Sequence, residues 1–350
     1  MKKMLAMLLA LVMILGLAAC ASTKPAADAT ATSEPSNTGD SASAETSAEA
    51  SDAAPAESGK TYTVGVCQLV QHEALDAATQ GFVDALKEAL GDAVTIDVQN
   101  ASGDSVNCGT IVNGFVAKGV DLIMANATPA LTAAVSATAD IPILGTSITA
   151  YGVALDIDDF SGTVGGNVSG TSDLADLQKQ AQMILDWFPE TKTVGLLFCS
   201  AEPNSRYQID EVRKALEAQG VTCEEFAFTD SNDVSSVTQK AADFSDFVYI
   251  PTDNTAASNT EAIANVLIPA GVPAICGEEG LCRGCGVATL SISYYDLGVT
   301  TGKMAAKILK GEANISEMPI EYTDATPKYN ASICDQLGIT PLDGYEAIEG

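Results

Sequence analysis

Six clusters of small hydrogen-bonding residues follow directly on short apolar runs, and these are the positions where the sequence could do chemistry. In the first half they are Gln68 through His72, Asn126-Ala127-Thr128-Pro129, and Thr146-Ser147. In the second half they are Asn204-Ser205, Thr252-Asp253-Asn254-Thr255, and Gly277-Glu278-Glu279-Gly280. If each run is a strand and each cluster opens a helix, the clusters offer free backbone N–H groups, which suit a carboxylate. Thr128 and the Thr146-Ser147 pair are the candidates for that role. Asp253 and Glu278 are the acids that end strands in the second half, so a buried ammonium would pair with Asp253 first and Glu278 second. A plainer reading covers the same residues: Thr128 before Pro129, and Asp253 before Thr255, are ordinary helix starts.

Catalytic and metal constellations do not assemble. The chain has one His, so His72-Glu73 cannot be completed to a His-Glu-x-x-His zinc motif. There is no Gly-x-Ser-x-Gly elbow, and Gly298–Lys303 is too short for a phosphate-binding loop. Cys282-Arg283-Gly284-Cys285 is a lone Cys-x-x-Cys without a second pair. Asp156, Asp158 and Asp159 lack the spacing and Gly of a calcium loop. No metal or cofactor is expected, and a hydrolase would lack its nucleophile–base set. Lys and Arg number 17 against 46 acids, a net charge of -29, which excludes a nucleic-acid stripe and a polybasic membrane patch. Aromatics are 5% with a single Trp, which disfavours a sugar site of stacked rings.

The elements that must position these clusters alternate. Strand-like runs at Thr63–Cys67, Val94–Val98, Asp121–Ala125 and Ile141–Gly145 interleave with helical patterns at Ala74–Leu90, Ser105–Lys118 and Pro129–Thr138. A second series has strands at Thr193–Phe198, Cys223–Phe228, Asp246–Ile250 and Pro273–Cys276, with helices near Ser205–Gln219, Val234–Asp243 and Ala257–Ala270. The polar, Gly-rich stretch Asp156–Asp173 divides them. Such alternation predicts an α/β chain of two Rossmann-like lobes with parallel sheets, and ligands at the carboxyl ends of the strands.

Upstream, Lys2 and Lys3 precede a 14-residue apolar run, Met4–Leu17, too short to span a bilayer but suited to a signal segment. Leu17-Ala18-Ala19-Cys20 resembles the lipobox of bacterial lipoproteins. That resemblance implies removal of residues 1–19, lipidation of Cys20 and an extracytoplasmic protein anchored at the cell membrane. Residues 21–60 contain no Val, Ile, Leu, Met, Phe, Tyr or Trp, so 20–60 is expected to be a tether without a core. Eight Cys besides Cys20 include several inside apolar strands, where thiols serve as small hydrophobes.

From residue 61 to 340 the sequence resembles an ABC-importer solute-binding lipoprotein of the type I periplasmic-binding-protein fold, in the branch that binds tryptophan, phenylalanine or tyrosine. The motifs that carry this are Gln71-His72-Glu73-Ala74-Leu75-Asp76, Ala127-Thr128-Pro129-Ala130, Gly170-Thr171-Ser172-Asp173, Pro251-Thr252-Asp253-Asn254-Thr255, Gly277-Glu278-Glu279-Gly280, and Tyr294-Tyr295-Asp296-Leu297-Gly298 running on to Gly302-Lys303-Met304-Ala305. The resemblance implies a three-crossover hinge. Lobe I would be 61–170 plus 295–311, and lobe II 172–290 plus 315–341, with crossings near Gly170–Ser172, Ser291–Ser293 and Glu312–Met318. It implies capture of a small amino-acid-like ligand, an aromatic amino acid first, for an ABC permease and its ATPase. A nucleoside or sugar receptor on the same fold is the alternative. The expected ligand-binding residues are Gln68, His72, Thr128, Thr146, Ser147, Ser172, Asn204, Ser205, Asp253, Asn254, Glu278 and Tyr294, with Tyr207 a further candidate for the side-chain pocket. Two positions depart from the family pattern. Glu73 stands where Pro is usual, and Arg206 stands where a small or apolar residue is usual and could pair with a ligand acid or point to solvent.

Overall fold

A computed structural model describes residues 59–348. The expected signal segment, Cys20 and residues 20–58 of the expected tether lie outside the described residues. In chain order the strands are β1 Tyr62–Gln68, β2 Val94–Asn100, β3 Leu122–Asn126, β4 Ile143–Ile148, β5 Val168–Ser172, β6 Thr193–Cys199, β7 Thr222–Phe228, β8 Phe247–Ile250, β9 Ala274–Cys276, β10 Ala288–Ser291, β11 Glu321–Tyr322, β12 Thr326–Tyr329 and β13 Glu346–Ala347.

They form two sheets, ordered β11-β5-β4-β3-β1-β2 and β13-β12-β10-β9-β8-β6-β7. Every pairing in the first is parallel. The second is parallel from β7 to β10, and β12 then runs antiparallel to β10. Parallel strands need helices on both faces, so their central members are apolar throughout. Alternation along β3 sends Leu122 and Met124 to one layer with Phe82, Leu144 and Met304. Ile123 and Ala125 go to the other, with Phe115, Leu131 and Ile143. The second sheet divides likewise. Tyr249 and Ile275 join Ile184, Trp187 and Ile209, while Val248 and Ile250 join Phe228, Ile263 and Leu267.

All eight strands expected from the sequence are present, with no end moved by more than three residues. Two expectations shift. The stretch 156–173 is not only a divider, because β5 within it pairs with β4. The third crossing comes later than 312–318: Ile315 and Ile320 pack into the first lobe, and Glu321-Tyr322 pair with Thr171-Ser172. Residues 315–322 therefore stay with the first lobe, and the chain crosses at 172–177, 291–294 and 322–326.

Helices Glu73–Leu90 and Tyr294–Leu309 both start at the gap between the sheets and pack on each other. Their backbones approach so closely that a methyl on Gly298 would lie 2.0 Å from the Ala78 carbonyl oxygen, and one on Gly81 2.1 Å from that of Tyr295. The contact needs glycine and fixes two helix starts relative to each other.

Candidate functional site

The carboxyl ends of both sheets face one another across a narrow cavity. It is lined by His72, Leu75, Ser147 and Thr149 from the first lobe, and by Asn204, Thr252, Asp253, Asn254, Ala257 and Glu278 from the second. Asp173 and Tyr294, on the first two crossings, complete it. The space has closed down to about 10 Å³, room for about one water. On one side a wider compartment of about 450 Å³ shares Asn254 and is bounded by Leu69, Val70 and Pro129 opposite Ala201, Glu202 and Thr255.

Seven of the twelve expected site residues reach this cavity: His72, Ser147, Asn204, Asp253, Asn254, Glu278 and Tyr294. The other five stand behind it. Gln68 is fully employed, donating to Val70 O and Asp76 Oδ1 and accepting from Thr79, so it anchors the start of helix Glu73–Leu90. Thr128 is buried at the start of its own helix. Thr146 lies 3.1 Å from Thr171, which in turn meets Thr301 at 2.9 Å, a hydroxyl chain running under the sheet. Ser172 donates to Thr149 O and accepts from Leu174 N, closing the first crossing. The Ser205 hydroxyl supports Asp253. Tyr207 packs into the second lobe's core, away from the cleft.

Asp253 and Glu278 are occupied. Asp253 accepts Ala256 N at 2.8 Å with one oxygen and Cys199 N at 2.6 Å with the other. Glu278 accepts the N–H groups of Gly280 and Leu281, one on each oxygen. Both carboxylates are N-caps, each oxygen accepting one backbone N–H, while both also line the cavity where the sequence places a ligand ammonium. Burial pushes Glu278 up to about 7. Burial, then the Glu202 charge, raises Asp253, against the backbone bonds from Ala256 and Cys199.

Glu202 organises the second lobe's half of the site. One oxygen accepts the Thr255 N–H and hydroxyl, each at 2.8 Å, and the other accepts the Asn254 N–H at 3.0 Å and the Nδ2 groups of Asn254 and Asn204 at 2.7 and 3.2 Å. With their Nδ2 groups held on a carboxylate, both amides must present Oδ1 outward. Asn254 Oδ1 meets His72 Nε2 at 3.2 Å across the lobes. His72 Nε2 is therefore the donor. Burial lowers the ring's pKa, so the imidazole is neutral and its Nδ1 is an acceptor.

Asp173 was missed because its segment reads as a polar crossing. Its Oδ2 accepts from Tyr294 Oη at 2.9 Å, its Oδ1 has no geometric partner, and burial raises its pKa, with the Tyr294 and Thr149 hydroxyls opposing. Ser147 sits at φ +56° beside a register shift between Gly145 and Ile148, strain that turns its hydroxyl toward the cavity.

Arg206 turns away. It grips Glu225 through both terminal nitrogens at 2.9 and 2.7 Å and lies 4.3 Å over the Phe198 ring. Glu73 pairs across the lobes with Arg283 at 3.0 Å. Cys282 and Cys285 are buried in a short helix, and all eight described cysteines are free thiols.

Comparison with known proteins places the chain. The family model for ABC transporter substrate binding proteins matches residues 63–344. A tyrosine-binding protein of Clostridioides difficile is 32% identical over 276 residues, 77% of this chain and 79% of that one. A Streptococcus pneumonia ABC domain in complex with L-Trp superposes with a TM-score of 0.78 at 32% identity, over 82% of this chain and 100% of its own. The ligand-free, open structure of a Clostridium difficile substrate binding protein with adhesive properties gives 0.63 at 33% identity, over 83% and 99%. The liganded relative superposes better than the ligand-free, open one at similar identity, and here the His72–Asn254 and Glu73–Arg283 contacts join the lobes. The chain belongs to the ABC transporter substrate-binding protein family.

Proposed function

We propose that the protein is the extracytoplasmic receptor of an ABC importer, anchored through a lipid on Cys20, and that it closes two lobes on an aromatic amino acid. The observation that carries this reading is the composition of the cavity: both lobes and two of the three crossings contribute to one enclosure, so a ligand there stabilises the closed form. The aromatic choice is supported by the relatives that bind tyrosine and L-Trp. The cleft also has the room for such a ligand: a narrow polar cavity adjoins a compartment of about 450 Å³ edged by Leu69, Val70 and Pro129 on one side and by polar residues such as Asp104, Asp230 and Ser231 elsewhere. The narrow end suits a charged head and the wider one a ring.

Calorimetric titration of the full chain with the twenty amino acids tests the reading. Heat from phenylalanine, tyrosine or tryptophan, and little from the rest, is the expected result. Binding confined to sugars or nucleosides would replace it. Anchoring is tested separately: fatty-acid label incorporated in cells should vanish in Cys20→Ala, and label that persists sinks the anchor.

A further inference from the structure

Four buried side-chain atoms at the cavity have no hydrogen-bond partner: His72 Nδ1, Ser147 Oγ, Asp173 Oδ1 and Asn204 Oδ1. Three of their residues are more than nine-tenths buried, with 6% of Ser147, 5% of Asp173 and 5% of Asn204 exposed. An unpartnered buried polar atom forfeits its bond to water without gaining another, so four around one space mark a missing ligand group.

Their chemistry is one-sided. Asp173 Oδ1 is a carboxylate acceptor. Asn204 Oδ1 is an acceptor because its Nδ2 is held by Glu202 Oε2 and by the Thr252 carbonyl at 3.1 Å, which no flipped amide could satisfy. His72 Nδ1 is an acceptor because its Nε2 carries the ring proton toward Asn254 Oδ1. Only Ser147 Oγ can donate. Neither Lys nor Arg lines the space. A carboxylate there would find the Ser147 hydroxyl free, the Thr252 and Tyr294 hydroxyls already donating elsewhere, and the carboxylates of Asp173, Asp253 and Glu278 repelling it. A water has two donors for three acceptors. A primary ammonium has three donors and no lone pair, and is the size of a water.

We infer that His72 Nδ1, Asp173 Oδ1 and Asn204 Oδ1 form a subsite for one primary ammonium group, with Asp173 as its counter-ion. This rests on reading the protein as a receptor for an amino-acid-like ligand and names the atoms that read the ligand's amine. The lobes contribute unequally and all are needed. His72 comes from the first, Asn204 from the second and Asp173 from the crossing, so the full set of three acceptors exists only when the lobes close. The subsite discriminates by counting donors. Each N-methyl group deletes one N–H and adds bulk to a space that admits about one water.

The test titrates the full chain with phenylalanine, tyrosine and tryptophan, then with their N-methyl and N,N-dimethyl forms, and with the hydroxy acids that replace the amine by OH. Affinity should fall about tenfold or more on the first methylation, on 1.4 kcal/mol per decade for a lost charge-assisted bond. It should fall a hundredfold or more on the second, and the hydroxy acids should not bind measurably. Asp173→Asn should weaken the primary amines at least tenfold and flatten the methylation series. If that variant fails to fold, the series on the unaltered protein decides alone. A dimethylated ligand within threefold of its parent overturns the subsite while leaving the receptor reading intact. If none of the three aromatic amino acids binds, the aromatic reading fails first. The panel then widens to the remaining amino acids and to simple primary amines, among which binding that methylation abolishes supports the subsite and absence of any binding overturns it.

Discussion

The Tyr294 hydroxyl donates to Asp173 Oδ2 at 2.9 Å and so ties the second lobe crossing to the first. The bond holds Asp173 in place and leaves Oδ1 toward the cavity. It also couples the site to helix packing, because Tyr294 opens the helix whose Gly298 rests on Ala78 of the helix that starts beside His72. Positions of the acid, the imidazole and the hinge are thus set by one rigid pair of helices. Tyr294→Phe keeps the ring and removes the donor. It should cost about 1–3 kcal/mol of stability through the second unpaired oxygen on Asp173. It should also weaken ligand binding about tenfold, because the freed carboxylate no longer has one orientation. Thermal unfolding and calorimetry on the same preparation read both; unchanged affinity would detach the hinge bond from the site.

Two glycines in helices separate close packing from chain flexibility. Replacing Gly298 gains up to about 1 kcal/mol of helix propensity. Against this, the new methyl would meet a backbone oxygen at 2.0 Å, and backbone cannot rotate aside. Overpacking costs about 1–3 kcal/mol or more, so Gly298→Ala should lower the unfolding midpoint. Gly114 lies exposed in helix Ser105–Lys118 with nothing within 4 Å of its would-be methyl. Gly114→Ala should raise stability by about 0.5–1 kcal/mol. Denaturant titration of the two variants should give opposite signs.

Most of the framework was legible because periodicity carries it. β3 and β8 are continuous apolar runs, and helix Glu73–Leu90 places Leu75, Ala78, Phe82 and Leu86 on one buried stripe. β5 was not legible. Val168-Ser169-Gly170-Thr171-Ser172 is small and polar, and it becomes a buried strand only between β4 and the distant two-residue β11. Gly170 at φ +145° lies against the Gly145 backbone, a contact no local pattern announces. The site divided the same way. Residue types at strand ends pointed to the cleft, but whether an acid there serves the backbone or a ligand depends on which lone pairs are free. Asp173 and Asp253 are alike in sequence terms, since each is an acid just past a strand. They differ in that two backbone N–H groups reach Asp253, whereas Asp173 has only hydroxyls about it, Tyr294 on Oδ2 and Thr149 nearby, and its Oδ1 has no geometric partner.

Glu278 should make stability fall with rising pH. Burial, aided by the charges of Glu73 and Glu279, lifts it from 4.5 to about 7 against the backbone bonds that favour its ionised form. The folded protein then holds a proton that the unfolded chain has lost, so its contribution is fully present below about 4.5 and is lost as pH rises to about 7. At about 1.4 kcal/mol per unit the full span is about 3 kcal/mol. His72 acts in the opposite sense, because its pKa is lowered and acid charges it in the unfolded chain first. Comparison with Glu278→Gln cancels that background. The stability of wild type relative to the variant should drop by about 2–3 kcal/mol between pH 4.5 and pH 8, and parallel pH profiles would refute the shift.

Asp253 gives the sharpest contrast with Asp173. It lines the cavity, yet its oxygens are taken by Ala256 N and Cys199 N at 2.8 and 2.6 Å. Asp253→Asn keeps one carbonyl acceptor and turns the other position into an N–H₂ donor facing an N–H. An Asn caps a helix nearly as well as Asp, so the Ala256 bond survives and the Cys199 bond does not. Loss of a buried bond to a charged group costs about 1.5–3 kcal/mol, offset by relief from the nearby Glu202 carboxylate, which raises the Asp253 pKa. A net loss of about 1–2 kcal/mol in stability is expected. Ligand affinity should stay within about threefold, because each oxygen of Asp253 already accepts a backbone N–H. The same substitution at Asp173 should leave most of the stability and remove at least tenfold in affinity. Measuring unfolding and ligand dissociation constants for both variants under one condition yields four numbers whose pattern is crossed if the roles are as assigned. A loss of affinity at Asp253 equal to that at Asp173 would return Asp253 to the ligand and relegate the capping bonds to a supporting part.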